Sequence, residues 1–322
     1  MLVDELSASR FLRILKFSEL EQFRAAERFV AAESIPLRIK SFSATRATLA
    51  LPRVSVALLG TFPRILDGVH EGDDTIITLL AEPANGGIIN GVPVTSTSIG
   101  FLRGRSRYSM FEKAPNWYFS LRVDRSVAAR GWPDVTDNFA LFRASLLSLR
   151  ALRSVLSRTL LAVSGARGDA MTGADLDAAS EQVLAALDLV FTGSNAKLVD
   201  LRPSALHLRL VEQIDARLAA DPAAAIYSKI LARDLSVSVR SLHSAAKSIR
   251  GMSLHRYLKI RRLWLVRGRL LAPKPGARIK SFALAHGFWH LGDFSADYHD
   301  LFGELPSETL ARAAVASPSQ HR

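Results

Sequence analysis

Hydrophobic and polar positions follow two different periods along this chain. From Ile35 to about Arg125, short runs rich in Val, Ile, Thr and aromatics are separated by Gly, Pro, Asn and Asp: LRIKSFS, RVSVALLGTF, TIITLLAE, GGIINGVPVTSTSIGFLRG and NWYFSLRVDR. Short strands at close spacing, with turn residues at Asp67-Gly68, Gly72-Asp73-Asp74, Asn85-Gly86-Gly87 and Asn90-Gly91, predict a β-sandwich or barrel. Ahead of it, Glu19–Glu33 predicts an amphipathic helix with Phe23, Ala26, Phe29 and Val30 on one side. Behind it the period becomes helical. Leu141, Leu146, Leu147, Leu149, Leu152, Leu156 and Leu160 predict a helix over Asp137–Ser164. Gly165–Gly173 is a polar break. Ala174–Phe191 is a second helix with Leu176, Val183, Leu184 and Leu187 inward, ended by Thr192–Asn195. Pro203-Ser204 opens a third, Ala205–Ala219. The domain boundary falls between Thr192 and Pro203, giving one domain over residues 1–195 and another over 204–312.

The C-terminal third uses one device twice. Ile230, Leu231 and Leu235 are apolar at helical spacing around Ala232, and Asp234-Leu235-Ser236-Val237 reads as a turn. Ser238 is a good N-cap for a helix from Val239 to about Ser248, and Gly251 is its stop. Further on, Phe282, Ala283 and Ala285 form a buried face, and His286-Gly287-Phe288 is a turn where Gly287 is free to take positive φ. The next helix carries Leu291, Phe294 and Tyr298 inward and ends near Phe302-Gly303. Two helices joined by a short turn, the second presented outward, is the helix-turn-helix geometry that lays a helix in the major groove of DNA. Counting from Ser238, helix spacing puts Arg240, His243, Ser244 and Lys247 outward and Leu242 and Ala246 inward. An outward Arg240 suits a bidentate contact to guanine, while Lys247, Ser238 and Ser241 suit phosphates.

Charge sharpens this picture. The formal net charge is +12, which calls for a polyanionic partner: nucleic acid first, an anionic membrane second. From Leu206 onward there are 18 Lys and Arg against 9 Asp and Glu, whereas the first 205 residues hold 24 against 21. The positive field therefore sits with the paired helices. Lys229–Lys280 carries 14 basic residues and one acidic, but Ser281–Leu310 carries five acids and no Lys or Arg. An acidic second helix is repelled by phosphate. Its start, Trp289 to Gly292, still offers backbone N–H groups to one phosphate, and His290 and His299 add charge when protonated. The acidic face also suits a basic partner.

With 48% hydrophobic residues the chain can pack two cores, and with no cysteine it has neither disulfides nor thiolate metal sites. Early acids at Asp4 and Glu5 argue against a signal peptide, and no apolar run is long enough to span a bilayer, so a cytoplasmic protein that does not enter the membrane is expected. His70 beside Glu71, Asp73 and Asp74 reads as a solvated turn rather than a metal site. No phosphate loop, paired histidines or nucleophile elbow is found, so neither catalysis nor a cofactor is expected. Phe62, Ile77, Phe101, Trp117 and Phe119 are candidates to line an apolar ligand pocket, with ordinary core packing as the alternative.

The C-terminal residues resemble the DNA-binding domain of the AraC/XylS transcriptional regulators. The resemblance is carried by Leu231-Ala232, Ser238 with Leu242, Gly251-Met252-Ser253, Tyr257-Leu258 and Arg261-Arg262-Leu263. It continues through Phe282-Ala283, Gly287-Phe288, Phe294-Ser295, Tyr298, Leu301-Phe302-Gly303 and Pro306-Ser307. It implies an α+β protein of two domains: an N-terminal cupin-like β-sandwich or barrel with dimerisation helices, and a C-terminal all-α domain with two helix-turn-helix motifs. It implies that Arg240, His243 and Ser244 reach base edges, and that His290, Leu291, Gly292 and Ser295 are the second motif's candidates. Family members carry basic residues where Ala296 and His299 stand here. The helix Leu254–Leu271 would span the two motifs. The implied function is a transcription regulator, of the activator kind, that binds a DNA operator as a homodimer. It would respond to an unknown small-molecule effector and would contact RNA polymerase. Either Leu141–Leu160 or Leu176–Leu187 would supply the dimer face. The rival readings are an effector-independent DNA-binding dimer and a protein-interaction module with weakened operator recognition.

Overall fold

The computed structural model describes residues 2–26, 31–40, 42–82, 86–133, 135, 138–192, 195–223, 227–272 and 278–316. The chain divides into two compact units. One comprises Met1–Ser34, Phe42–Ile89 and Pro93–Leu201; the other comprises Ile35–Ser41, Asn90–Val92 and Arg202–Arg322.

The first unit is built on strands β1 (Leu12–Phe17), β2 (Ala31–Pro36), β3 (Ala44–Ala50), β4 (Val54–Gly60), β5 (Arg64–Leu80), β6 (Ile88–Ile89), β7 (Val92–Pro93), β8 (Ser98–Glu112), β9 (Trp117–Val123), β10 (Asn138–Ala144) and β11 (Ala196–Leu198). Its helices are α1 (Leu20–Ala26), α2 (Leu146–Ala162), α3 (Gly165–Asp169) and α4 (Gly173–Phe191). The strands join in one sheet ordered β1-β3-β4-β9-β5-β8-β10-β11, with β2, β6 and β7 attached at its sides. Among the described residues β1 and β11 stand at opposite ends of that order. The sheet is therefore not closed, which corrects the expected barrel.

Side-chain alternation gives the sheet two different faces. Val54, Val56 and Leu58 of β4, Ile77 and Leu79 of β5, and Phe119 and Leu121 of β9 are buried in one core with Leu149, Leu152, Leu156 and Leu160 of α2 and Val183, Leu184, Leu187 and Val190 of α4. Each fully buried side chain of this kind contributes about 1.5–3 kcal/mol. Arg153, buried on α2, ties that helix to the sheet unit by donating from Nε to the Leu80 carbonyl at 2.7 Å and from Nη2 to the Ser96 carbonyl at 2.5 Å. The next positions along the same strands (Ser55, Ala57 and Leu59; Ile76 and Thr78; Tyr118 and Ser120) line a cavity on the other face.

Two predicted helices are corrected. Over Glu19–Glu33 the helix stops at Ala26 and Ala31–Pro36 is strand; Phe29 and Val30 lie outside the described residues. Over Asp137–Ser164, residues 138–144 are strand, with Leu141 paired to Gly100 of β8. The helix begins only at Leu146, where Ser145 caps it by accepting from the Ser148 N–H at 3.1 Å. A strand apolar on both faces continued by an amphipathic helix has no break in its hydrophobic run, so periodicity alone extends the helix through the strand.

The second unit contains α5 (Arg202–Ala220), α6 (Ser228–Asp234), α7 (Val239–Arg250), α8 (Leu254–Leu271), α9 (Ile279–Ala285), α10 (Leu291–Phe302) and α11 (Pro306–Ala316). Its buried side chains include Val211, Ile214, Leu242, Ile249, Tyr257, Val266, Phe294 and Tyr298.

Candidate nucleic-acid interface

Helix α7 is set up by its sequence at both ends. Ser236 takes φ +54 in the turn after α6, and the Val237 N–H donates back to the Ala232 carbonyl at 2.9 Å. Ser238, in extended geometry, accepts from the Ser241 N–H at 3.0 Å. Gly251 closes the helix at φ 61, a conformation that costs a β-carbon-bearing residue about 1–2 kcal/mol. Leu242, Ala245, Ala246 and Ile249 are buried, and Arg240, His243, Ser244 and Lys247 are all exposed. They form one stripe of donors. Among the described residues, none of Arg240, His243 and Lys247 is paired with an acid.

What holds α7 is a half-buried acid that sequence reasoning missed. Asp215 of α5 accepts from Arg250 Nη2 at 3.1 Å and from the Tyr257 hydroxyl, and Arg261 Nε stands 3.4 Å away. Arg250 is 2% exposed, with its guanidinium 5.1 Å from the centre of the Tyr257 ring. One carboxylate thus joins α5, the end of α7 and the start of α8. A lone Asp on a helix gives no sequence signal for this.

The second helix pair hangs on α8. Gly287 turns the chain at φ 74. Arg262, 4% exposed, donates from Nη1 to the carbonyls of both His286 and Gly287 at 3.2 Å, and lies 4.8 Å over the Phe288 ring. Burial lowers its pKa to about 10, with Asp297 opposing the shift, so it stays charged at neutral pH. Lys259 pairs with Asp297 at 2.7 Å, and Glu304 takes Arg267 at 2.5 Å and Arg312 at 2.6 Å. Glu308 accepts from the Leu305 N–H at 2.6 Å at the start of α11. Three of the five acids in this segment are therefore structural, and the basic excess of α8 neutralises two of them. At the start of α10, Trp289, His290, Leu291 and Gly292 are exposed, as are Ala296 and His299. Ser295 is half-buried, its hydroxyl donating to the Leu291 carbonyl at 2.9 Å.

In the first unit the sheet's inner face surrounds a cavity of about 330 Å³. None of Phe62, Ile77, Phe101, Trp117 and Phe119 lines it. Ile77, Phe101 and Phe119 face α2 and α4, Trp117 packs against that same core, and Phe62 sits with Phe23 and Phe42. His70 is buried, its Nε2 3.1 Å from the Asp74 carbonyl. Among the described residues no three His, Asp or Glu side chains gather to hold a metal ion, and no helix is long and apolar enough to cross a membrane.

Comparison with known proteins bears on the segment that carries these helices. Residues 231–312, from α6 into α11, match the family described as a helix-turn-helix domain. XylDLEGF operon transcriptional activator 1 of Pseudomonas putida is 39% identical over 77 residues, 24% of this chain and 23% of that protein. A probable thc operon regulatory protein of Rhodococcus erythropolis is 38% identical over 81 residues, 25% of this chain and 24% of that protein. The chain belongs to the AraC/XylS family. A solved structure of a probable AraC family transcriptional regulator from Rhodopseudomonas palustris is 33% identical, covering 33% of this chain and 97% of that one, with a TM-score of 0.30. The match spans about a quarter of the length of these curated relatives. The family segment includes the α7 stripe, the Arg262 tie and the acidic α10; the strands and the cavity lie outside it.

Proposed function

We propose that this AraC/XylS-family chain is a sequence-specific DNA-binding transcription activator that responds to a small-molecule effector. The observation that carries the reading is the exposed stripe Arg240, His243, Ser244 and Lys247, on a helix capped at both ends and clamped through Asp215. On this reading α6–α7 and α9–α10 are two helix-turn-helix motifs within a DNA-binding domain over residues 204–312. Arg240, His243 and Ser244 reach base edges, and Ser238, Ser241 and Lys247 hold phosphates. The start of α10, with His290, Leu291, Gly292 and Ser295, makes the weaker contact. Residues 1–195 sense the effector in the sheet cavity and dimerise. The exposed Leu146 and Leu147 of α2, Leu189 of α4 and Leu198 of β11 support a dimer face at that end of the helix pair. The activator role follows the name of the Pseudomonas relative, and contact with RNA polymerase is a further part of this proposal, for which the acidic face of α10 is the candidate surface.

The test is selection of genomic fragments by the purified protein at two salt concentrations, beside Arg240→Ala. Recovery of a few fragments, a steep fall with salt and loss of selectivity in the variant are the expected outcome. Uniform weak binding that the variant leaves unchanged would overturn the reading.

A further inference from the structure

The second unit holds a segment that its place in the sequence does not foretell. Ile35–Ser41 joins β2 to β3, yet it belongs to the helical unit. Three of its residues meet α8 and α10 at one spot. The Ile39 N–H donates to the Leu301 carbonyl at 2.8 Å. The Pro36 carbonyl accepts from Trp264 Nε1 at 3.2 Å, and the ring of that tryptophan stands edge-on to Phe302 with centroids 5.0 Å apart. At Gly303, φ 72, a β-carbon would come within 3.3 Å of Lys40 Cα, so the segment and the end of α10 approach backbone to backbone.

These contacts supply what α10 lacks of its own. The last four carbonyls of a helix have no partner within it, and Leu301 carries one of them in α10. Helix α7 is bounded by its neighbours in sequence, with Ser238 as a side-chain cap and Gly251 as a left-handed stop. Helix α10 also ends on a left-handed glycine, but neither it nor α9 has a side-chain cap at its start. The second helix pair is therefore the less self-contained of the two, and residues 36–40 secure its far end. That segment is flanked on both sides by residues of the sheet cavity. Ala32 precedes it on β2, and Arg46 and Thr48 follow it on β3. Ala32 stands only four residues before Pro36 along the strand, and close-packed structure transmits strain, so a displaced wall at Ala32 is felt at Pro36.

On the reading of residues 1–195 as the part that senses an effector, we infer that segment 36–40 is a strap through which filling of the sheet cavity sets the placement of α10. The second helix pair is then a conditional element, held for DNA in one position of the strap and released in another. Filling of the cavity shifts α10 only as far as the filled wall favours one strap position over the other.

Hydrogen exchange of the full chain, without DNA, is the test. Ile39→Pro removes the N–H that bonds Leu301, and Trp264→Phe removes the indole N–H while keeping an aromatic ring against Phe302. The α10 amides exchange at least tenfold faster in Ile39→Pro and at least threefold faster in Trp264→Phe, while those of β4 and β9 exchange as in the wild type, which reports an intact sheet. Ala57→Leu adds bulk to the cavity wall, and Ser120→Leu does the same should the first not fold. Alone, the added bulk changes α10 exchange at least threefold; combined with either strap variant it changes nothing further, because coupled sites are not additive. Exchange of α10 equal to wild type in either strap variant overturns the strap. A cavity substitution without effect on α10, or with the same effect in the strap variants, overturns its link to the cavity. Since no DNA is present, a chain that selects no DNA fragment overturns the proposed function and leaves the strap standing.

Discussion

Asp215 accepts from Arg250 across the base of α7, 35 residues away in sequence, through a guanidinium that is almost wholly buried. The stripe on α7 is thus oriented by a charge on a helix that carries no residue of the stripe. Placement of α7 depends on α5, which precedes the segment matching the family.

Asp215→Ala should therefore disable a helix it does not belong to. Removing one partner of a buried ion pair costs roughly 3–5 kcal/mol. Asp215 is 19% exposed, so a loss toward the lower end, about 3 kcal/mol, is expected in urea unfolding of the C-terminal unit. Replacing Arg250 as well, as Asp215→Leu with Arg250→Met, should recover most of that loss. An Asp215→Ala protein with unchanged midpoint would show that the pair does not hold the helix.

The α7 stripe predicts two separable effects on binding. Lys247→Ala should weaken all DNA sequences alike and lower the slope of log K against log salt by about 1. Arg240→Ala should leave the slope nearly as steep for non-specific DNA but relax discrimination at one base pair, by about 1–3 kcal/mol. Anisotropy titrations over a salt series distinguish them, and a Lys247→Ala slope equal to wild type would remove Lys247 from the phosphate contacts.

Acid should loosen the second helix pair through His286. Burial, with Arg269 and Arg262 nearby, holds this imidazole below its usual pKa against the hydrogen bond to Phe282. The folded state thus takes up the proton less readily than the unfolded chain. Stability is unaffected above about pH 6.5 and falls as pH drops below it toward the folded value. Urea midpoints at pH 7.5 and 5.5 should differ more for the wild type than for His286→Gln; equal differences would exclude His286 as the cause.

The exposed leucines at the end of α2 and α4 predict the oligomeric state. Leu147 is 79% and Leu189 59% exposed. In sedimentation velocity the wild type should run as a dimer and Leu147→Glu with Leu189→Glu as a folded monomer. A wild type that stays monomeric at its highest soluble concentration would remove the dimer face.

The parts legible in the sequence were those whose signal is local. Ser238 and Gly251 bound α7 because a cap and a left-handed stop are single-residue chemistry, and α8 was bounded as observed, at Leu254 and Leu271. The cavity wall was not legible, for a geometric reason. Ile76 and Ile77, Leu102 and Phe101, and Tyr118 and Phe119 are adjacent pairs in which both members are large and apolar or aromatic, so period-2 alternation carries no phase. Choosing the neighbouring residue turns the side chain to the opposite face. The acidity of the segment 281–310 misled in another way. Asp297 and Glu304 count as repulsion in the sequence, but Lys259, Arg267 and Arg312 absorb them in the fold.

Helix α8 holds ties to both helix pairs on one continuous rod. Tyr257 and Arg261 reach Asp215; Lys259, Arg262 and Arg267 reach the second pair. Inserting a single residue between Arg261 and Arg262 would swing Arg262, Arg267 and everything beyond them by about 100° and advance them about 1.5 Å relative to Tyr257 and Arg261. The segment 254–271 should therefore tolerate substitution on its outer face far better than any change of length.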